Sequence, residues 1–202
     1  DTVTKVYRIP NNCNDAQHLV DSVLMEFTNI DTDVVRSVVV DDAFDRYYWA
    51  APSLVPQYNT RARIANGDPS FTLGVPQPPT PVLNIVGGAS ATQRSTAYVL
   101  TYVSAYGEEG PPSNPVEGTG KVDASWNLTW TAADPNDLGV TRNLTLVRIY
   151  RTVTALDGTT TYFFVDEKPI ATVAYSDVKT DAQVSLNELL SSTTWTAPPT
   201  DM

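Results

Sequence analysis

The residue types best suited to acid–base or nucleophilic chemistry are each present once, as a single histidine and a single cysteine. His18 lies among apolar residues of a predicted helix, with no nucleophile placed to use it, so we do not expect it to act as a general acid or base. Cys13 just precedes the same helix, where the helix dipole can acidify a thiol. Because the chain has no second cysteine or histidine, we interpret Cys13 as a small, buried or half-buried residue.

Carboxylates cluster in a short part of the chain, where their oxygens are suited to a hard cation such as Ca²⁺. The cluster consists of Asp31, Asp33, Asp41, Asp42 and Asp45. It lacks the central glycine and terminal glutamate of an EF-hand loop, and the valine-rich stretch 34–40 separates its two groups. A solvated loop is therefore the interpretation that we favour over a calcium site.

A pair of adjacent glutamates, Glu108 and Glu109, falls in a predicted turn. Neighbouring residues on one turn cannot flank a sugar as the two carboxylates of a glycosidase must, but they could face an arginine of a neighbouring subunit. The sequence also contains no phosphate-binding loop, dinucleotide fingerprint or zinc-ligand spacing. These features predict a protein that is not an enzyme and that holds no metal or cofactor.

Aromatic and arginine side chains are the remaining candidates for binding. Protein interfaces are enriched in tyrosine, tryptophan and arginine, but large aromatic residues also fill β-sheet cores. We expect Trp130 and alternate tyrosines in the core, and the alternative is a sugar-stacking surface that includes Trp49 and Trp126. The candidate interface residues are Tyr47, Tyr48, Trp49, Arg148, Arg151 and Trp195.

The composition limits the partners that these residues can have. Of the 202 residues, 42% are hydrophobic and 18% are charged, which is typical of a globular protein. The formal net charge of −10 argues against sequence-specific binding of nucleic acid, since such binders are normally basic. No apolar run approaches the roughly 18 residues of a membrane span, so we expect no membrane partner.

A proline-rich run at residues 75–81 divides the chain. Such a run is stiff and extended, and it predicts a link between residues 1–77 and residues 78–202. The first half is predicted to be a small mixed α+β region with one helix. The second half is predicted to be nearly all β, with an extended C-terminal tail that starts at Trp195.

The predicted helix of the first half covers residues 14–29. Asn14 can cap its N-terminus, with Gln17 as the capping-box partner. Its apolar face is formed by Leu19, Val20, Val23, Leu24 and Phe27. Strands are predicted at residues 3–9 and 46–49, and the valines of stretch 34–40 predict a further strand that is buried.

The second half alternates short β-rich runs with glycine, proline and aspartate turns. Strands are predicted at residues 82–86, 96–106, 126–130, 144–152, 160–165 and 171–175, and a short helix at 184–190. About seven strands at this spacing indicate a β-sandwich.

Three passages of the second half resemble fibronectin type III-like modules. Residues 98–113 read YVLTYVSAYGEEGPPS and resemble the late strand pair of such a module. Residues 128–132, LTWTA, resemble the early strand that carries the core tryptophan, and residues 147–152, VRIYRT, resemble the strand after it. The late motif comes first in this chain, so either two partial modules abut or the strands are permuted.

A wider combination resembles structural proteins of tailed bacteriophage virions, in particular tail and neck components of podovirus type. It spans roughly residues 44–199 and consists of RYYW at 46–49, LGVPQP at 73–78, the passage at 98–113, RIYRT at 148–152, YFFV at 162–165 and WTAPP at 195–199. The resemblance implies a structural component located in the virion. Its partners would be copies of itself, in a homo-oligomer, and other virion proteins near the head–tail connection.

In this role, exposed strand edges and the extended segments 76–81 and 195–199 would lie across adjacent subunits and bind them by strand addition. Two alternatives remain open. The first is a capsid decoration or head-fibre protein. The second is a carbohydrate-binding adhesin module that uses the sandwich loops and exposed tryptophans.

Overall fold

The computed structural model describes residues 2–9, 22–132, 141–154 and 160–195. The chain divides between Leu73 and Gly74 into two compact units, so the predicted proline-rich link falls at the start of the second unit. Both units are mainly β, and all of their sheets are antiparallel.

The described residues of unit 1 form two sheets and one short helix. Its elements are β1 (Lys5–Ile9), β2 (Val23–Phe27), β3 (Asp33–Arg36), β4 (Arg46–Ala51), β5 (Leu54–Thr60), α1 (Arg61–Ala65) and β6 (Phe71–Thr72). β1 pairs with β2, and the other strands form a sheet in the order β3-β4-β5-β6. Ile9, Met25 and Tyr47 are the buried centre of the core that these strands share.

The helix predicted over residues 14–29 is wrong in its second half, because Val23–Phe27 is strand β2. The apolar residues there fit a helical period, but Val23, Met25 and Phe27 also alternate, and β1 offers them an antiparallel partner. Leu24, expected on the apolar face of the helix, is exposed. Residues 10–21, with Asn14, Cys13 and His18, lie outside the described residues. Helix α1 was not predicted; Thr60 caps it by accepting a hydrogen bond from the Arg63 N–H.

In unit 2, seven strands in two sheets are formed by the residues that the structure describes. They are β7 (Val82–Val86), β8 (Gln93–Ser104), β9 (Val116–Lys121), β10 (Ser125–Thr129), β11 (Leu144–Thr154), β12 (Thr160–Pro169) and β13 (Ala174–Asp177). One sheet has the order β13-β10-β7 and the other the order β12-β11-β8-β9. Side chains from both sheets enter a single hydrophobic cluster, an arrangement consistent with the predicted β-sandwich.

Three local predictions fail in unit 2. The strand predicted at residues 171–175 is displaced, because β13 begins only at Ala174. Strand β9 was missed, because its glycines weaken the β pattern. Gly118 and Gly120 let β9 approach the other sheet: a Cβ on Gly120 would lie 2.7 Å from Ile85 Cγ2. The short helix predicted at 184–190 is wrong except at its first residue, since α2 (Asp181–Val184) ends there.

The burial of the tryptophans decides between core packing and a sugar-stacking surface as the role of these residues. Trp126 is fully buried in the core of unit 2, and Trp130 is buried beside it. The alternative sugar-stacking surface is therefore wrong for Trp126, whose ring lies under the Arg94 guanidinium at 4.6 Å. The core interpretation of Trp130 is confirmed.

An ionic network lies between the two sheets of unit 2. Arg151 on β11 and Asp177 at the end of β13 are both fully buried, with 2.9 Å between Arg151 Nε and Asp177 Oδ2. The Tyr98 hydroxyl donates to the same oxygen at 2.8 Å. Burial, followed by the charge of Asp177, raises the pKa of Tyr98, so this hydroxyl remains a donor.

The network extends to the start of α2. Asp181 Oδ1 accepts from Arg151 Nη1 at 2.5 Å and from Arg94 Nη1 at 3.0 Å. Both arginines also donate to the Lys179 carbonyl. Two strands of one sheet are thus joined to the last strand of the other and to the segment that follows it.

We expect Arg151→Met to destabilise the protein by about 3 kcal/mol or more, because removing one partner of a buried ion pair leaves the other charge without adequate compensation. Chemical unfolding of the full chain measures this loss. Lys168→Met is the matched control, since its ion pair with Asp166 is partly exposed and should be worth less than about 1 kcal/mol. Equal losses in the two variants would contradict the assigned role of Arg151.

Candidate interaction site

The aromatic interface candidates of unit 1 lie on both sides of β4. Tyr47 is buried in the core of unit 1. Trp49 is half-buried against that core, with its ring 6.2 Å from Phe27. Tyr48 is also half-buried and stacks on Tyr58 at 5.9 Å. These contacts serve internal packing, and a role between subunits stays a prediction.

The arginine candidates of unit 2 have partners within their own chain. Arg148 Nη1 lies 3.1 Å from Glu109, and its Nε lies 3.2 Å from Glu167. Glu109, which we expected could face a neighbour's arginine, is therefore engaged internally. Arg151 belongs to the buried network. Trp195, in contrast, is 55% exposed, and the interface roles of all three candidates stay predictions.

Of the two proline-rich segments, the structure describes 76–81 completely and 195–199 only at Trp195. Pro78 and Pro81 are buried within unit 2, and Gln77 Nε2 donates to the Pro112 carbonyl at 2.8 Å. Segment 76–81 is thus packed against its own unit. Residues 196–199 of the other segment lie outside the described part of the chain.

The most exposed apolar group of unit 1 is a loop that the sequence predicted as buried strand. Val38, Val39 and Val40 are 96%, 56% and 86% exposed. Strand β3 ends at Arg36, and the Ser37 N–H donates to the Arg46 carbonyl, so the three valines lie beyond the β3–β4 ladder. We call residues 37–42 the valine loop.

Charged residues hold the base of the valine loop. Asp42 Oδ2 accepts from Arg46 Nε at 2.8 Å, and the two side chains are only 7% and 11% exposed. Asp42 also accepts from the backbone N–H groups of Phe44 and Arg46. A second ion pair joins Arg36 Nε to Asp45 at 2.9 Å. The loop therefore presents apolar side chains on a well-defined base.

The electrostatics of this base favour the ionised form of Asp42. Burial by itself would raise the pKa of Asp42, but the hydrogen bonds from Arg46, Phe44 and Ser37 outweigh it and lower the pKa to about 2. The negative charge is thus retained well below neutral pH.

The aspartates of the cluster have separate contacts and do not converge on one site. Asp42 and Asp45 bind arginines, while Asp33 approaches Lys5 at 3.9 Å. Within the described ranges, no three His, Cys, Asp or Glu side chains are grouped to hold a metal ion. Nor does any helix in those ranges have the length and apolar character needed to cross a membrane.

Comparison with known proteins identifies no family for this chain. No protein-family model matches it, and a search of curated proteins found no significant match.

Because the pKa of Asp42 falls from its ordinary 3.8 to about 2 on folding, its contribution is present above about pH 4 and is lost as the pH drops towards 2. We expect Asp42→Asn to lower protection of the valine loop at pH 5 and to differ less from the unsubstituted protein near pH 2. Hydrogen exchange of peptides covering residues 37–46, corrected for intrinsic rates, measures this.

Asp31→Asn, at an exposed position, is the control for the loss of one negative charge. A difference between Asp42→Asn and the unsubstituted protein that stays constant from pH 5 to pH 2 would contradict the role given to the Asp42 carboxylate.

Proposed function

We propose that this protein is a structural component of a tailed-phage virion that assembles with copies of itself in the tail, neck or nozzle region. The phage assignment is supported by the sequence resemblance over roughly residues 44–199. The observation that carries the assembly role is the valine loop. Three adjacent aliphatic side chains in solvent, on a base held by a buried ion pair, are typical of a surface that a partner covers.

The energetics of the loop favour association. Burying one valine side chain contributes about 1.5 kcal/mol or more. Because the base of the loop is already held by Asp42 and Arg46, little conformational entropy is lost when a partner covers it.

A second copy of the chain offers two exposed apolar side chains on the β1–β2 hairpin, beside the exposed Arg8 and Glu26. Val6 on β1 and Leu24 on β2 are each 54% exposed. A valine loop that packs on this hairpin of the next copy makes a head-to-tail contact, and such contacts close into rings when the rotation between copies allows it.

The fibronectin-like part of the proposal is supported by the strand order. The late-type hairpin β8–β9 precedes β10 and β11 in the chain, yet β8 lies beside β11 in the same sheet. Strands from both motifs contribute to one core. This favours a single module with permuted strands over two partial modules.

The assembly role predicts that the full chain forms a concentration-dependent, closed oligomer in light scattering. The double variant Val38→Ser, Val40→Ser should raise the dissociation concentration by about tenfold or more, since two apolar contacts are lost. The matched control is Val178→Ser with Leu186→Ser, which removes two exposed aliphatic side chains from unit 2. A monomer at all concentrations, or equal effects of the two double variants, would refute the proposed contact.

The position in the virion needs a separate experiment. Labelled protein is mixed with assembled capsids and with isolated tails. Binding to tails, or to the portal end of capsids, supports the tail or neck role. Binding over the whole capsid surface would instead identify a decoration protein.

A further inference from the structure

A polar groove of about 740 Å³ opens on the four-stranded sheet of unit 2. It lies where the hairpins β8–β9 and β11–β12 diverge, and all four strands contribute hydroxyl-bearing side chains to its lining. None of the interface candidates discussed above lines it. Its size falls within the range of sites for small organic ligands.

The groove exists because the ladder between β8 and β11 stops early. The last pair is Tyr98 with Arg151. Beyond it, Thr152 Oγ1 accepts a hydrogen bond from the Ala97 N–H at 2.8 Å, and the Thr96 hydroxyl donates to the Thr152 carbonyl at 2.7 Å. Side-chain hydroxyls thus replace the backbone ladder, and the two hairpins separate.

Paired hydroxyls border the groove on both sides. Ser95 and Thr119 join β8 to β9 at 2.7 Å, and Thr154 and Thr160 join β11 to β12 at 3.1 Å. One hydroxyl hydrogen in each pair is used between the two oxygens, so the other hydrogen and several lone pairs remain for a ligand. Each exposed pair can therefore donate and accept at once.

One acid and one aromatic ring complete the lining. Glu117 is opposite Ala97 in the β8–β9 register, and Tyr162 is opposite Thr152 in the β11–β12 register. Burial, and then the charge of Glu117, raises the pKa of Tyr162, which keeps its hydroxyl protonated. The lining contains no lysine, arginine or histidine among the residues that the structure describes.

We propose that this groove binds a neutral saccharide. Sugar hydroxyls both donate and accept, as the paired threonine and serine hydroxyls do, and the Glu117 carboxylate can accept from two neighbouring hydroxyls of one sugar. The Tyr162 ring supplies apolar surface for the C–H face of a sugar. Phosphate, sulfate and sialic acid are disfavoured, because their charge would meet Glu117 without a cation in the lining.

The test uses the full chain on a glycan microarray that carries neutral oligosaccharides of hexoses, pentoses and N-acetylhexosamines beside sialylated and sulfated glycans. Titration calorimetry with the best neutral oligosaccharide follows. We expect Glu117→Gln to weaken binding about tenfold, since a hydrogen bond to a charged acceptor is lost. The double variant Thr154→Val, Thr160→Val should weaken it at least as much.

Two exposed positions supply matched controls. Asp31→Asn, between β2 and β3, removes one negative charge at an exposed position, and Thr129→Val on β10 removes a hydroxyl from the other sheet of unit 2. Both should bind as the unsubstituted protein does, and thermal melting shows whether each variant is folded.

Neutral-glycan binding that the groove variants lose and the controls keep supports the proposal. No binding to any glycan, binding to acidic glycans alone, or binding that the groove variants retain would overturn it. Oligomeric state, measured on the same variants, is expected to be unchanged, so this result is independent of the assembly role.

Discussion

The contact between Arg151 and Asp177 is the constraint on which unit 2 depends. A buried ion pair gains little net stability unless its geometry is good and its remaining polar atoms are satisfied. Here the Tyr98 hydroxyl donates to the Asp177 carboxylate, and Asp181 and the Lys179 carbonyl accept from the guanidinium, whereas Arg151 Nε, 2.9 Å from Asp177 Oδ2, makes an ion pair without a well-aligned hydrogen bond. Because these groups come from β8, β11, β13, the segment before α2 and the first residue of α2, the network holds the two sheets in a single relative position.

The groove on the outer side of the sheet begins at the same position along β8 and β11. Tyr98 and Arg151 form the last pair of the β8–β11 ladder, and both extend their side chains into the network between the sheets. The strands diverge immediately beyond this pair, where Thr96 and Thr152 replace backbone hydrogen bonds with hydroxyl contacts. The end of the β8–β11 ladder is therefore where the buried ionic network on one side of the sheet and the hydroxyl-lined groove on the other side meet.

In unit 1, too, an ion pair that is largely removed from solvent holds a neighbouring segment in place. The Asp42–Arg46 pair is largely removed from solvent and carries a loop whose valines are not. Holding a polar base in one geometry allows apolar side chains to remain exposed without collapsing onto the unit. In the proposed division of labour, unit 1 supplies the contact to neighbouring subunits and unit 2 supplies the saccharide groove. A virion component of this kind would join assembly to recognition of a glycan surface.

The sequence by itself determined the alternating aromatic strand around Tyr98, the strand predicted at residues 160–165, which the structure extends to Pro169, and the core position of Trp130. These features depend on residues a few positions apart, so the local pattern of the sequence is enough to predict them. Only the tertiary structure decided that Val23–Phe27 is a strand, that Val38–Val40 are exposed, and that Arg151 is buried beside Asp177. Each of these outcomes depends on a partner distant in the chain, as does the separation of the hairpins that forms the groove, and no local pattern specifies which partner a strand or charge will find.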